Sequence, residues 1–296
     1  MKPFLEGKDL KQWRAESRNL YLILFPKGWT REQIGSEIEP IDETTAWNWL
    51  KQQHPAICQT LEPFAVAGRK RTDKGDFWWE MRTCAYYDKY EEDKIIFAHF
   101  QDAPLYFFDR KRIYTNNRGY IFPNAGFFEL GLLTSKVMWM VFTGMTSSIR
   151  GGFYEATTQN TNRFPIPDAT DEQKTAIATL AENCQALAEQ RYTLENAFRR
   201  RIPDLCPKDR DPKLSQKLQA WWLLDFSAFR DEVKKLFKQD IPFDDVDKWS
   251  GRFDKDKAVL QDLSYQLAVQ EQALNRAVYA LFGLDAAEIA LLEATI

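Results

Sequence analysis

Ser148 to Pro167 concentrates the side chains of this chain best suited to recognition chemistry. Arg150 stands beside Gly151 and Gly152, followed by Thr157, Thr158, Gln159, Asn160, Thr161, Asn162 and Arg163, with a Phe-Pro-Ile-Pro exit. Guanidinium and carboxamide groups can bond bidentately to guanine and adenine edges, and hydroxyls suit phosphate oxygens. The glycine pair allows a close backbone approach to a ligand. The only acidic residue in the segment is Glu155. A polar loop has the same composition, so the rest of the chain must decide between the two.

Two basic clusters extend the pattern. Arg69, Lys70, Arg71 and Lys74 form one, and Arg110, Lys111, Arg112 and Arg118 the other. Both flank a region of strand character and are candidate phosphate grips; solvated loop charge is the alternative. Asn116 is first a turn former and second a candidate adenine contact, and Tyr154 lies within the polar segment. The net charge is −3, which excludes a simple basic nucleic-acid binder. Its distribution is uneven: residues 105–165 are net +4, against −2 before them and −5 after. A locally basic face on an acidic chain can still steer toward phosphates.

Other chemistries find less support. Glu92-Asp93-Lys94 precedes an apolar strand, but no Pro-Asp pair lies upstream as a metal-dependent nuclease core requires. His54 and His99 sit beside no evident nucleophile. Cys58, Cys84, Cys184 and Cys206 are widely spaced without a C-x-x-C pair, which argues against structural zinc and fits reduced thiols. Lys2, Glu6, Lys8 and Asp9 interrupt any apolar leader, and the longest apolar run, around Val137 to Phe142, is too short to cross a bilayer. A cytoplasmic protein without membrane partners is expected.

The elements that must position these residues follow from periodicity. Asp42 reads as the N-cap of a helix running to about Gln53, and Pro55 to Leu61 as another; Gly68 to Gly75 reads as a basic turn. Ile95 to Phe97, Leu105 to Phe108 and Tyr120 to Phe122 are strands joined by turn signals at Asp109 to Arg112 and Asn116 to Gly119. Phe127 to Thr143 returns to helix. Beyond Asp171, Ile177, Leu180, Cys184, Leu187, Arg191, Leu194 and Phe198 alternate steps of three and four, as do Leu260, Leu263, Leu267, Gln270, Leu274, Ala277 and Leu281. Two long helices able to pair antiparallel in coiled-coil fashion are expected, with a shorter helix between them suggested by Leu223, Leu224, Phe226, Phe229, Val233 and Phe237. The expected fold is α+β. Residues 1–167 would form a recognition domain with a mixed, mainly antiparallel sheet and flanking helices, and residues 168–296 a long helical arm. Ten tryptophans are many for this length, and some are expected at contact surfaces.

Several segments together resemble the C-terminal specificity, or target-recognition, domain of TaqI-like methyltransferases and fused type IIG restriction–modification enzymes, related to type I specificity subunits. They are the opening Lys2 to Trp13, Trp78 to Arg82 ahead of Lys94 to Phe97, Tyr120 to Phe122, Leu130 to Lys136, Arg150 to Tyr154 running to Phe164 to Pro167, and the closing Tyr279 to Leu284. The resemblance implies a non-catalytic module that reads a short double-stranded DNA sequence through the major groove. Its arm would join it to a methyltransferase or nuclease body. No Asn-Pro-Pro-aromatic tetrad and no glycine-rich S-adenosylmethionine loop occur here. The resemblance therefore implies that S-adenosylmethionine, and any Mg2+ for cleavage, belong to a catalytic part outside this chain. An adaptor that binds protein through its helical arm and does not bind DNA is the reading from a different class.

Overall fold

The structure is a computed structural model describing residues 1–35, 41–149 and 151–296. It is α+β, with small sheets in the first half and long helices in the second. The strands are β1 (Lys2–Leu5), β2 (Leu10–Lys11), β3 (Arg14–Ala15), β4 (Leu20–Leu22), β5 (Lys94–Ala98), β6 (Phe100–Gln101), β7 (Tyr106–Asp109), β8 (Tyr114–Thr115), β9 (Gly119–Pro123), β10 (Ser148–Ile149) and β11 (Phe153–Glu155). The helices are α1 (Trp29–Ile34), α2 (Glu43–Gln53), α3 (Pro55–Leu61), α4 (Ala65–Lys70), α5 (Phe127–Thr134), α6 (Lys136–Met145), α7 (Thr158–Thr161), α8 (Asp171–Arg199), α9 (Gln216–Gln219), α10 (Phe226–Phe237), α11 (Val246–Leu281) and α12 (Ala286–Thr295).

The central sheet runs β7-β5-β9, all antiparallel. Every residue of β5 is buried because both its faces are covered, which explains the unbroken apolar run Ile95-Ile96-Phe97. Ile95 and Phe97 face a core shared with α5, α6, α8 and α11. Ile96 and Ala98 face Leu5, Leu10, Phe107 and Ile113, where the N-terminal strands cover the sheet. Those strands add β4-β1-β8, in which β1 and β8 form a parallel pair. Lys94 starts β5 fully buried, and its Nζ donates to Asp109 Oδ2 at 2.6 Å and to the Tyr90 carbonyl at 2.7 Å. The Glu92-Asp93-Lys94 run is thus a structural anchor, with its lysine committed to an ion pair.

The Phe127 to Thr143 helix is two helices. Ser135 has extended backbone and its hydroxyl accepts from Met138 N, ending α5 and capping α6. The expected basic turn at Gly68 to Gly75 begins as the last turn of α4. A compact unit of α1 to α4 is built on aromatic packing: Trp47 lies 4.9 Å from Trp78 and 5.0 Å from Trp79, and Phe77 stacks on Trp79 at 4.8 Å. None of the ten tryptophans is exposed; four are buried and six half-buried. All four cysteines are free.

The two long helices form, with 29 and 36 residues, and α11 is about 54 Å long. They run antiparallel: Ile177 and Ala181 share a core with Leu274 and Val278, while Phe198 at the other end meets Phe253 and Leu260. One row of the expected seam is buried, at Ile177, Cys184 and Phe198; in place of the other, Ala181, Ala188 and Glu195 are buried, and Leu180, Leu187 and Leu194 are half-buried beside them. Helix α8 is squeezed between α11 and α5, and that approach requires small side chains; a Cβ on Gly131 would lie 2.7 Å from Ile177. The pair is therefore rooted in the core of the sheet, and only its far end projects. There Phe198, Trp221, Phe229 and Phe253 close a second core with α10. Leu284 N donates to Tyr279 O and Gly283 N to Ala280 O, a Schellman turn with Gly283 at φ 70°. It ends α11 and releases α12.

Buried Gln185 of α8 ties the stem to the sheet. Its Oε1 accepts from Phe108 N and its Nε2 donates to Phe108 O, both at 2.8 Å, so the amide completes edge strand β7 as another strand would. Two further polar links come from α11: Glu271 Oε1 accepts from Trp13 Nε1 at 2.7 Å, and Asn275 Oδ1 from Lys136 N at 2.9 Å.

Candidate nucleic-acid interface

Beyond Ala98 the chain of β5 turns at His99, which joins two sheets. Its N–H donates to Arg118 O at 2.9 Å and its carbonyl accepts from Ala156 N at 2.8 Å. The small sheet β10-β11-β6 is thereby fixed to the end of the central one. The His99 ring stacks on Phe100 at 4.2 Å, and its Nε2 pairs with Glu155 Oε1 at 2.8 Å. Arg118 places its guanidinium 4.9 Å over the same Phe100 ring. Neither the His99–Glu155 pair nor the exposed apolar residues of this sheet stood out in the sequence; a histidine in an apolar strand signals burial alone.

Alternation along β11 divides the sheet into two faces. Tyr154 is half-buried and packs toward Trp139 and Phe142 at 5.8 and 6.1 Å. Phe153 and Glu155 point the other way. The β10–β11 turn has Gly152 N donating to Ile149 O at 3.2 Å, with Gly151 at φ 93° and Gly152 at φ 79°. Two consecutive positive φ values account for the glycine pair. Arg150 lies outside the described residues.

The polar run then separates into holders and free tips. Thr157 caps α7 by accepting from Asn160 N, and Thr161 is buried. Asn160 donates its Nδ2 to Thr146 Oγ1 at 3.3 Å and to the Glu155 carbonyl at 3.1 Å, binding the turn to the ribbon. Thr158, Gln159, Asn162 and Arg163 are exposed. Thus Gln159, Asn162 and Arg163 present their tips on the same small turn, next to the β10–β11 ribbon, with Tyr154 and Asn160 engaged beneath them.

The basic candidates fall in three places. Arg118 belongs with the ribbon; Asn116 shapes its turn by accepting from Arg118 N at 3.0 Å. Arg110, Lys111 and Arg112 lie at the opposite end of β5, because Lys94 is in register with Asp109 while Ala98 is in register with Gly119. This turn is rigid: the buried Asp109 carboxylate accepts from Lys111 N and Ile113 N, and Arg112 is left-handed at φ 55°. Lys111 and Arg112 are exposed, and Arg110 rests over Phe108 and Phe127 near Glu182. The third group sits on the tryptophan-packed unit. Arg69 pairs with Glu43 at 2.6 Å, Arg71 with Asp73 at 3.1 Å, and Lys74 donates to the carbonyls of Arg69 and Arg71 at the end of α4. Lys70 is exposed.

Among the described residues, no group of His, Cys, Asp and Glu is disposed to hold a metal ion, and no helix is long and apolar enough to cross a membrane. No curated protein matches the chain. Two family models do. One, described as a Domain of unknown function (DUF8810), matches residues 170–278 and so falls on the helical pair and the elements between. The other matches residues 2–166, from β1 through the ribbon and the α7 turn, and is described as a TaqI-like C-terminal specificity domain. It covers more than half of the sequence, and the chain accordingly belongs to the TaqI-like C-terminal specificity domain family.

Proposed function

We propose that this chain reads a short double-stranded DNA sequence for a restriction–modification enzyme of the cytoplasm, bringing a methyltransferase or nuclease body to its target. In this reading residues 1–167 carry recognition and residues 168–296 form the arm that meets the body. S-adenosylmethionine, and Mg2+ where cleavage accompanies methylation, would bind the body. The observation that carries the reading is the outward turn at Gln159, Asn162 and Arg163 beside a two-stranded ribbon, within the segment matched to the specificity-domain family. A ribbon of this width fits the major groove, where amide and guanidinium tips distinguish base pairs.

The residues divide by expected role. Gln159, Asn162, Arg163 and Arg150 are proposed base readers, with Asn160 and Tyr154 setting their platform. Arg118, the turn Arg110–Lys111–Arg112, and Arg69, Lys70, Arg71 and Lys74 are proposed to meet phosphates, with Asn116 shaping the Arg118 turn. A binding selection from random duplex DNA at low salt, followed by titration of the enriched sequence, tests this. Gln159→Ala or Arg163→Ala should cost about 1–3 kcal/mol and relax one position, whereas Arg118→Ala should weaken all sequences alike. Unchanged affinity for both ribbon-side variants refutes the assignment. No binding at low salt favours the adaptor reading.

A further inference from the structure

The outward face of the ribbon carries two large apolar side chains that remain partly open to solvent. Ile149 is 40 % and Phe153 36 % exposed, and the two are in direct register across β10 and β11. Residues opposite each other in an antiparallel pair share a face, so they form one apolar patch at the ribbon tip. In the neighbouring pair, Ser148 is exposed and Tyr154 packs inward against Trp139 and Phe142. The next outward pair is Glu155 and Phe100. Glu155 is held by His99, and Phe100 lies under the Arg118 guanidinium. The patch is thus bordered by Arg118, and Arg163 is exposed on the following turn, in the one part of the chain with net positive charge. An anionic partner with a small apolar group within reach complements such a surface.

Resting on the DNA-reading role proposed above, we infer that Ile149 and Phe153 read the 5-methyl group of a pyrimidine in the major groove. That group is the apolar mark on the groove edge, carried by thymine and by 5-methylcytosine, and absent from uracil and cytosine. The flanking amide and guanidinium tips supply hydrogen bonds, and the cross-strand pair supplies the apolar contact. Burying one methyl-sized group changes affinity about fourfold.

The full chain is used to select from a random duplex library, and the enriched duplex is remade with deoxyuridine for every thymine and, separately, with 5-methylcytosine for every cytosine. Loss of about fourfold for each contacted thymine on uracil substitution, absent from the Ile149→Ala/Phe153→Ala variant, assigns the contact to thymine. No response to uracil but a similar gain on cytosine methylation, again absent from the variant, assigns it to 5-methylcytosine. Wild-type indifference to both, or a variant that keeps the full response, overturns the inference while leaving DNA reading intact. Failure to enrich any duplex overturns both. Circular dichroism checks the variant's fold, and Phe153→Leu, which keeps an apolar tip, should retain the methyl response.

Discussion

Replacing Lys94 by Met tests the anchor that holds the sheet end and its basic turn. Lys94 and Asp109 are both fully buried and meet at 2.6 Å. Removing one member of such a pair leaves an uncompensated charge and costs about 3–5 kcal/mol. Asp109 would keep its two backbone donors, Lys111 N at 2.8 Å and Ile113 N at 2.9 Å. Asp109→Leu removes the acceptor for both as well as the partner of Lys94. Each orphaned N–H adds about 1–3 kcal/mol, so this second change must be the worse one. For a chain of this length unfolding as one unit, 3–5 kcal/mol corresponds to a Tm lowered by about 5–8 °C. Differential scanning calorimetry of both variants measures it. A Lys94→Met shift under about 2 °C, or an Asp109→Leu protein more stable than Lys94→Met, would refute the reasoning.

Two further outcomes follow from the polar links between stem and sheet. Gln185→Leu deprives Phe108 of both its backbone partners and should cost about 2–6 kcal/mol, read as a lower urea midpoint; a midpoint equal to wild type contradicts the edge-strand role. Burial holds the Glu271 carboxyl above its ordinary 4.5. A group with a raised folded pKa favours the fold fully below its unfolded value and loses that contribution as pH rises through the folded one. Glu271→Gln cannot ionise yet still accepts from Trp13, so its Tm should gain on wild type as pH rises from 4.5 toward neutrality. A Tm difference that stays constant over that interval argues against the assignment.

The central strands were legible because a strand buried on both faces leaves an uninterrupted apolar run, as at Ile95 to Phe97. The cap at Asp42 was legible for a local reason: it acts within a few residues of itself. Contacts between distant segments left no such trace. Strands β1 to β4 are two to four residues long and owe their form to partners far along the chain, including the parallel pairing of Phe4 with Tyr114. The break at Ser135 had a signal, a capping serine inside an apolar run, which the wide apolar face obscured. Spacing in α8 marked the helix and one buried row, Ile177, Cys184 and Phe198, but not the second, where the close approach of α5 selects alanine over leucine. At the α7 turn, composition marked a polar segment but could not separate Asn160, bonded inward, from Gln159 and Asn162, which are exposed.

That last separation bears on how the proposed reader could change its preference. The turn stays in shape through Thr157, Asn160 and Thr161, and the side chains at 158, 159, 162 and 163 bear none of its internal bonds. Substitution at the outward positions would therefore remove no hydrogen bond that holds the turn among the described residues. A laboratory library randomised at those four sites, with the anchors kept, should yield mostly folded proteins.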